Sequence, residues 1–110
     1  MPFVSVITTA VVDEKTMDTL QKEIGRIIAI IPGKTIDNCM TKIEGSASVF
    51  MSGTRANAVF CEVRLFGIAP TEAKAKVTAE LHALFTRELS AQKVYMNYLE
   101  SEEWGSKYMK

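Results

Sequence analysis

The chain has 110 residues, with 13 basic and 13 acidic side chains and a formal charge of +0. That length without a composition shift predicts one domain, residues 1–110, whose core is modest enough for oligomerisation to help it. Zero net charge argues against a nucleic-acid or anionic-membrane partner, because both draw on a basic excess. Two cysteines, Cys39 and Cys61, make neither a disulfide framework nor a zinc site, and their apolar surroundings predict buried, reduced thiols. The N-terminus lacks a basic region followed by a long apolar core. The longest apolar run, residues 24–31, is interrupted by Gly25 and Arg26 and is too short to span a bilayer. With no targeting signal, a cytoplasmic location is expected.

The first element is a strand beginning directly after Met1-Pro2. Val4, Val6 and Thr8 share one face, and Phe3, Ser5 and Ile7 the other. Asp13 is suited to N-cap a helix, with Glu14 in its first turn. Met17, Leu20, Ile24, Ile27, Ile28 and Ile31 then recur at steps of three and four, one continuous helical stripe. Pro32-Gly33 stops it, and Lys34 follows. Residues 38–43 read as a second strand, 48–51 as a minor strand and 52–55 as a loop by composition.

Residues 57–66 carry the longest strand signal. Val59, Cys61, Val63 and Leu65 fall on one face, with Ala58, Phe60, Glu62, Arg64 and Phe66 on the other. Pro70 at the first helical position and Thr71-Glu72 open a second helix. Ala73, Val77, Leu81, Leu84 and Phe85 form its stripe, and His82 lies one step off it. Residues 93–99 read as the last strand, followed by a tail carrying Trp104 and Tyr108.

The order is a βαβ unit used twice. The expected fold is α/β (α+β): two βαβ units forming a four-stranded mixed sheet with two helices on one face, plus short extra strands. Two helices cover only one face of such a sheet. The other is left bare, with Phe60, Phe66, Val4 or Phe3, and Tyr95 or Met96 on it according to register. A bare apolar sheet face predicts burial against further subunits.

No phosphate loop, paired metal ligands or Ser-His-Asp set is present, so neither a metal nor a cofactor is expected. What remains is Pro2, Lys34, Arg64, and the pair Tyr95 and Asn97 on one face of the last strand. With Met1 removed, Pro2 is a secondary amine held by its own ring. An ordinary α-amino group has a pKa of about 7.7–8.0 and free proline's is higher still; burial and a neighbouring Lys34 cation both disfavour the charged form and lower it, as a base at pH 7 requires. Lys34 also attracts a carboxylate, while Tyr95 and Asn97 donate hydrogen bonds to an oxygen that gains charge. A base, a cation and oxygen donors serve proton transfer beside a carbonyl. Each also has a plain reading: Lys34 as a solvated residue after a helix, Tyr95 and Asn97 as packed groups, Arg64 as an ion pair at a subunit contact.

Met1-Pro2 before a strand, Gly33-Lys34 after the first helix, and Val94-Tyr95-Met96-Asn97-Tyr98 near the end resemble the tautomerase superfamily. The Phe50-to-Gly53 and Val59-to-Gly67 stretches fit its macrophage migration inhibitory factor branch. The resemblance implies a homotrimer of two-βαβ subunits. It implies a cofactor-independent keto-enol tautomerase of phenylpyruvate-like 2-oxo acids, with Pro2 as general base. It also implies that Lys34 binds the substrate carboxylate, that Phe66 offers its backbone N–H, and that Tyr95 and Asn97 enter the site of a neighbouring subunit. Trp104 and Tyr108 would form an aromatic wall. Asn38 departs from the pattern, standing where close relatives often carry a pocket tyrosine. No Cys-x-x-Cys precedes the Val59 strand, so the redox activity ascribed to that motif is not supported. Two alternatives stay open: the same proline, with Arg55 or Arg64, in dehalogenation, hydration or decarboxylation of small unsaturated acids; or a non-enzymatic trimeric binding or signalling protein.

Overall fold

In a computed structural model, which describes residues 2–106, the chain runs β1 (Phe3–Thr8), α1 (Glu14–Ile28), a one-turn 3-10 helix (Ile36–Asn38), β2 (Met40–Glu44), β3 (Phe50–Met51), β4 (Thr54–Arg55), β5 (Ala58–Phe66), α2 (Thr71–Leu89) and β6 (Lys93–Ser101). The main sheet has the order β2-β1-β5-β6. Each helix crossover joins a parallel pair, β1 with β2 and β5 with β6, and the two halves meet through the antiparallel pair β1–β5. The expected two-βαβ architecture is therefore the observed one.

Asp13 caps α1 as expected, its Oδ1 accepting the Thr16 N–H at 2.8 Å. From the predicted stripe, Leu20, Ile24, Ile27, Ile28 and Ile31 are buried. The helix ends at Ile28, before Pro32, because a residue preceding proline avoids the helical region. Ile31 keeps its place in the core from a turn. In α2, Val77, Leu81, Leu84 and Phe85 face inward, while His82 is exposed. Both helices cover the sheet face bearing Val4, Val6, Val59, Cys61, Val63 and Leu65. Each large side chain buried there stabilises the fold by about 1.5–3 kcal/mol.

Several boundaries depart from the sequence expectation. Pro70 is the N-cap, not the first helical residue, with an extended ψ of 141°. Asn38 lies in the 3-10 turn, and β2 begins at Met40. Thr54 and Arg55, expected in a loop, form β4 against β3. Ser52 and Gly53 both have positive φ, 52° and 76°, which gives the tight hairpin turn that keeps flanking residues paired. The last strand runs on to Ser101, because Leu99, Glu100 and Ser101 continue the ladder with Arg64, Leu65 and Phe66.

Register settles the composition of the uncovered face. Across the four strands its rows read Met40–Phe3–Arg64–Leu99, then Lys42–Ser5–Glu62–Asn97, then Glu44–Ile7–Phe60–Tyr95. It is therefore Phe3 and Tyr95, not Val4 and Met96, that stand on it. Phe60, Tyr95, Leu99 and Met40 are between 40% and 55% exposed in the single chain. A polar row separates two rows that are mainly apolar, so the face is not uniformly hydrophobic.

Candidate functional site

The candidate base, Pro2, is buried at the start of β1, and its carbonyl accepts the Met40 N–H at 3.0 Å. Continuing the β1–β5 register by one step sets Pro2 opposite Leu65, next to Phe66. Met1 lies outside the described residues.

Lys34 reaches the same end of the sheet. The Lys34 N–H donates to the Ile31 carbonyl at 3.1 Å, closing a turn with Pro32 second and Gly33 third. Gly33 has φ 81°, the left-handed backbone that the third position of a type II turn requires and that glycine adopts without strain. The turn directs Lys34 back toward β5. Its Nζ donates to the Phe66 carbonyl at 2.8 Å and stands 6.0 Å from the Phe66 ring centroid. Pro2, Lys34 and Phe66 are thus gathered at one sheet end from three separate elements.

Tyr95 and Asn97 are not brought to that end within one protomer. They share rows with Phe60 and Glu62. Measured along β6 from the Phe3 row, Asn97 is two residues away and Tyr95 four, about 7 and 13 Å. Both point outward from the uncovered face and are exposed. Arg64 lies directly opposite Phe3, its guanidinium 5.8 Å from the Phe3 ring centroid and 3.5 Å from the Glu62 carboxylate. Arg55 is remote from this end, stacked on Phe50 in the small hairpin at 5.1 Å. Asn38 is exposed at the end of the 3-10 turn. Trp104 is half-buried and lines a groove of about 830 Å³ together with Phe3, Met40, Arg64 and Leu99. Tyr108 lies outside the described residues.

The groove residues Phe3, Met40 and Leu99 were not candidates in the sequence. Their alternation put each on one side of a strand, but only the pairing register puts them in one row. Glu100 was missed as well. On the helix side its carboxylate accepts from Lys74 Nζ and from the Ala69 N–H, both at 2.6 Å. These two partners, the lysine first, hold its carboxyl below the usual carboxylate range. Beside it, Tyr98 donates to the Lys74 carbonyl at 2.9 Å and meets the Thr78 hydroxyl at 2.7 Å. This cluster ties β6 to the start of α2.

Cys61 is fully buried in the core, and that burial pushes its thiol up to about 12. Cys39 is half-buried, and its thiol is also raised by desolvation. Neither thiol has the electropositive, accessible setting of a nucleophile. Among the described residues no group of three His, Cys, Asp or Glu is placed to hold a metal ion. No described helix is long and apolar enough to cross a membrane.

A family model described as macrophage migration inhibitory factor (MIF) matches residues 1–108. The structure is similar to that of Leishmania major MIF2, at 23% identity and a TM-score of 0.88, covering 97% of this chain and 94% of that one. It is also similar to Pt0534 inactivated by 2-oxo-3-pentynoate, at 12% identity and a TM-score of 0.77, covering 96% and 93%. A third similar structure is a fused 4-OT solved as an asymmetric trimer, at 12% identity and a TM-score of 0.79, covering 97% and 94%. No curated protein is a significant match to the sequence.

Proposed function

The chain belongs to the macrophage migration inhibitory factor family, and on that premise we propose that it is a cofactor-independent keto-enol tautomerase of phenylpyruvate-like 2-oxo acids. Pro2, freed of Met1, is the general base. The observation that carries this reading is the gathering of Lys34 and Phe66 at the sheet end where Pro2 is buried. Lys34 binds the substrate carboxylate by exchanging the Phe66 carbonyl for it. The amine takes the proton from C3 of the keto acid and returns it to the carbonyl oxygen, giving the enol; the reverse step ketonises it. A buried amine beside an ammonium is shifted toward its neutral form, which a base at pH 7 requires.

The reading includes a homotrimer. Tyr95 and Asn97 lie too far along β6 to serve the Pro2 end of their own protomer, and a neighbouring subunit packed on the uncovered face supplies them. The fused 4-OT neighbour is a trimer. The compound that inactivates Pt0534, 2-oxo-3-pentynoate, is a 2-oxo acid, the substrate class proposed here.

The test is phenylpyruvate ketonisation by the wild-type protein and by Pro2→Gly. Pro2→Gly keeps an N-terminal amine, but a primary one without the ring that holds Pro2, so the variant is expected to lose activity by less than the roughly 10²–10⁴ that general acid–base catalysis supplies. Full activity in Pro2→Gly would overturn the assignment. So would mass spectrometry showing Met1 retained on the active protein, because an acylated nitrogen is no base.

A further inference from the structure

The last peptide of β5 is aimed by its bond to β6. The strand β5 lies between β1 and β6. The Gly67 N–H donates to the Ser101 carbonyl of β6 at 2.9 Å, and a trans peptide points its C=O opposite to its N–H. The Phe66 carbonyl therefore faces away from β6, where it accepts from Lys34 Nζ at 2.8 Å. In an antiparallel pair a residue offers both its N–H and its C=O to the same neighbour, alternating along the strand. At the other end of β5, Ala58 shows the phase. Its carbonyl accepts the Thr9 N–H at 3.2 Å, and its N–H donates to Thr9 Oγ1 at 3.1 Å. Phe66 lies an even number of positions further on, so its N–H and C=O both face the β1 side, where Pro2 is buried.

Beyond Phe66 the turn into α2 has little packing of its own. Gly67 has φ 79°, and Ile68 is 83% exposed. Glu100 ties this turn down. One carboxylate oxygen accepts the Ala69 N–H at 2.6 Å, and the other accepts from Lys74 Nζ at 2.6 Å. The turn is thus fastened to two consecutive residues of β6, Glu100 through its side chain and Ser101 through its carbonyl. Tyr98 holds α2 to the same strand independently, through the Lys74 carbonyl and the Thr78 hydroxyl.

We propose that Glu100 is a positioning residue for the substrate's carboxylate: by tethering the Ala69 N–H it fixes the turn that aims the Phe66 main chain at Lys34. This rests on the reading of Pro2 and Lys34 given above. A carboxylate that takes the place of the Phe66 carbonyl on Lys34 arrives beside the Phe66 N–H. Both of its donors then depend on how that one residue is set. Glu100 itself stays on the helix side of the sheet with Lys74 and acts only through Phe66.

The experiment compares ketonisation of phenylpyruvate with that of its methyl ester, which shares the reacting carbon and oxygen and lacks the charge. The readout is the acid-to-ester ratio of kcat/KM. Glu100→Ala is expected to lower that ratio about three- to tenfold, the scale of misaligning a hydrogen bond to a charged group. The fall comes through the KM of the acid, with its kcat within about twofold. Glu100→Gln keeps an acceptor for the Ala69 N–H but not the charge, and its ratio falls between those of wild type and Glu100→Ala. Lys74→Met removes the ion pair and leaves the Ala69 bond, with Tyr98 still holding α2, and its ratio stays near that of wild type. A wild-type ratio near one overturns the proposal. So does an unchanged ratio in Glu100→Ala, or in Glu100→Gln where the alanine variant does not fold. A ratio in Lys74→Met as low as in Glu100→Ala also overturns it, since loosening β6 from α2 would then suffice. A calorimetric arm without turnover measures hydrocinnamate against hydrocinnamamide. If neither acid nor ester turns over, the proton-transfer reading fails by itself. A preference for the carboxylate that Glu100→Ala lowers still supports the tether. A preference that Glu100→Ala leaves alone, or none in wild type, overturns it.

Discussion

Glu100 shows how much one side chain can fasten. Its carboxylate is mostly shielded from solvent, at 16% exposure, and joins the end of β6 to Lys74 of α2 and to Ala69 ahead of that helix. Hydrogen bonds to a charged group contribute about 1.5–3 kcal/mol, and partial exposure of Lys74 places Glu100→Gln toward the lower figure. Because the folded-state carboxyl titrates below its unfolded value near 4.3, its contribution is full above that value. It is lost as pH falls through the lower, folded value. Denaturant melts of wild type and Glu100→Gln are expected to differ by about 1–2 kcal/mol at pH 7 and to converge below the folded-state value. A constant difference across that range would show a packing effect instead. The thiols give a second expectation at this scale. With Cys61 buried and pushed up to about 12, a thiol reagent at pH 8 labels Cys39 slowly and Cys61 only after unfolding. Mass-resolved labelling checks this.

At the scale of elements, the join between α1 and the 3-10 turn depends on a missing side chain. A Cβ on Gly25 would stand 2.6 Å from Ile36 Cγ1, well inside contact distance. Alanine is a better helix former than glycine by roughly 0.8–1 kcal/mol, yet here it must push Ile36 and the turn away. Gly25→Ala is expected to destabilise the protein, and Gly25→Ala combined with Ile36→Ala to recover stability beyond the sum of the single changes. A double-mutant cycle by thermal or denaturant unfolding measures that coupling. Additive effects would mean that the turn moves freely. The same turn region follows Lys34, so its displacement also bears on where the ammonium sits.

For the whole molecule, the proposed assembly rests on the uncovered face. Helices cover one side of the sheet, and Phe60 and Tyr95 remain side by side on the other, 40% and 53% exposed. In the proposed trimer that row is buried between subunits. Sedimentation equilibrium is expected to find a particle of three 12.2 kDa chains. Phe60→Glu places a charge in the contact and is expected to shift the protein toward single chains, with tautomerase turnover falling alongside because Tyr95 and Asn97 leave the neighbouring site. A monomeric wild type with full activity would contradict both statements.

The sequence by itself determined the two βαβ units, the helix stripes and the existence of an uncovered sheet face. Those features follow from periodicity, and periodicity is local: Leu20, Ile24 and Ile27 line up by helical geometry wherever the helix goes. The Pro32-Gly33 stop was equally legible, because turn chemistry belongs to the residues themselves. The candidates Pro2, Lys34, Tyr95 and Asn97 were legible as residue types but not as neighbours. Only tertiary structure brought the Lys34 ammonium to the Phe66 carbonyl, 32 positions away in sequence. It also separated Tyr95 and Asn97 from the Pro2 end of the same chain. Strand register did this, since it fixes which residues face each other across strands and is set by the packing of the whole sheet. For the same reason Phe3, Met40, Arg64 and Leu99 form one row across four strands, although no local pattern relates them.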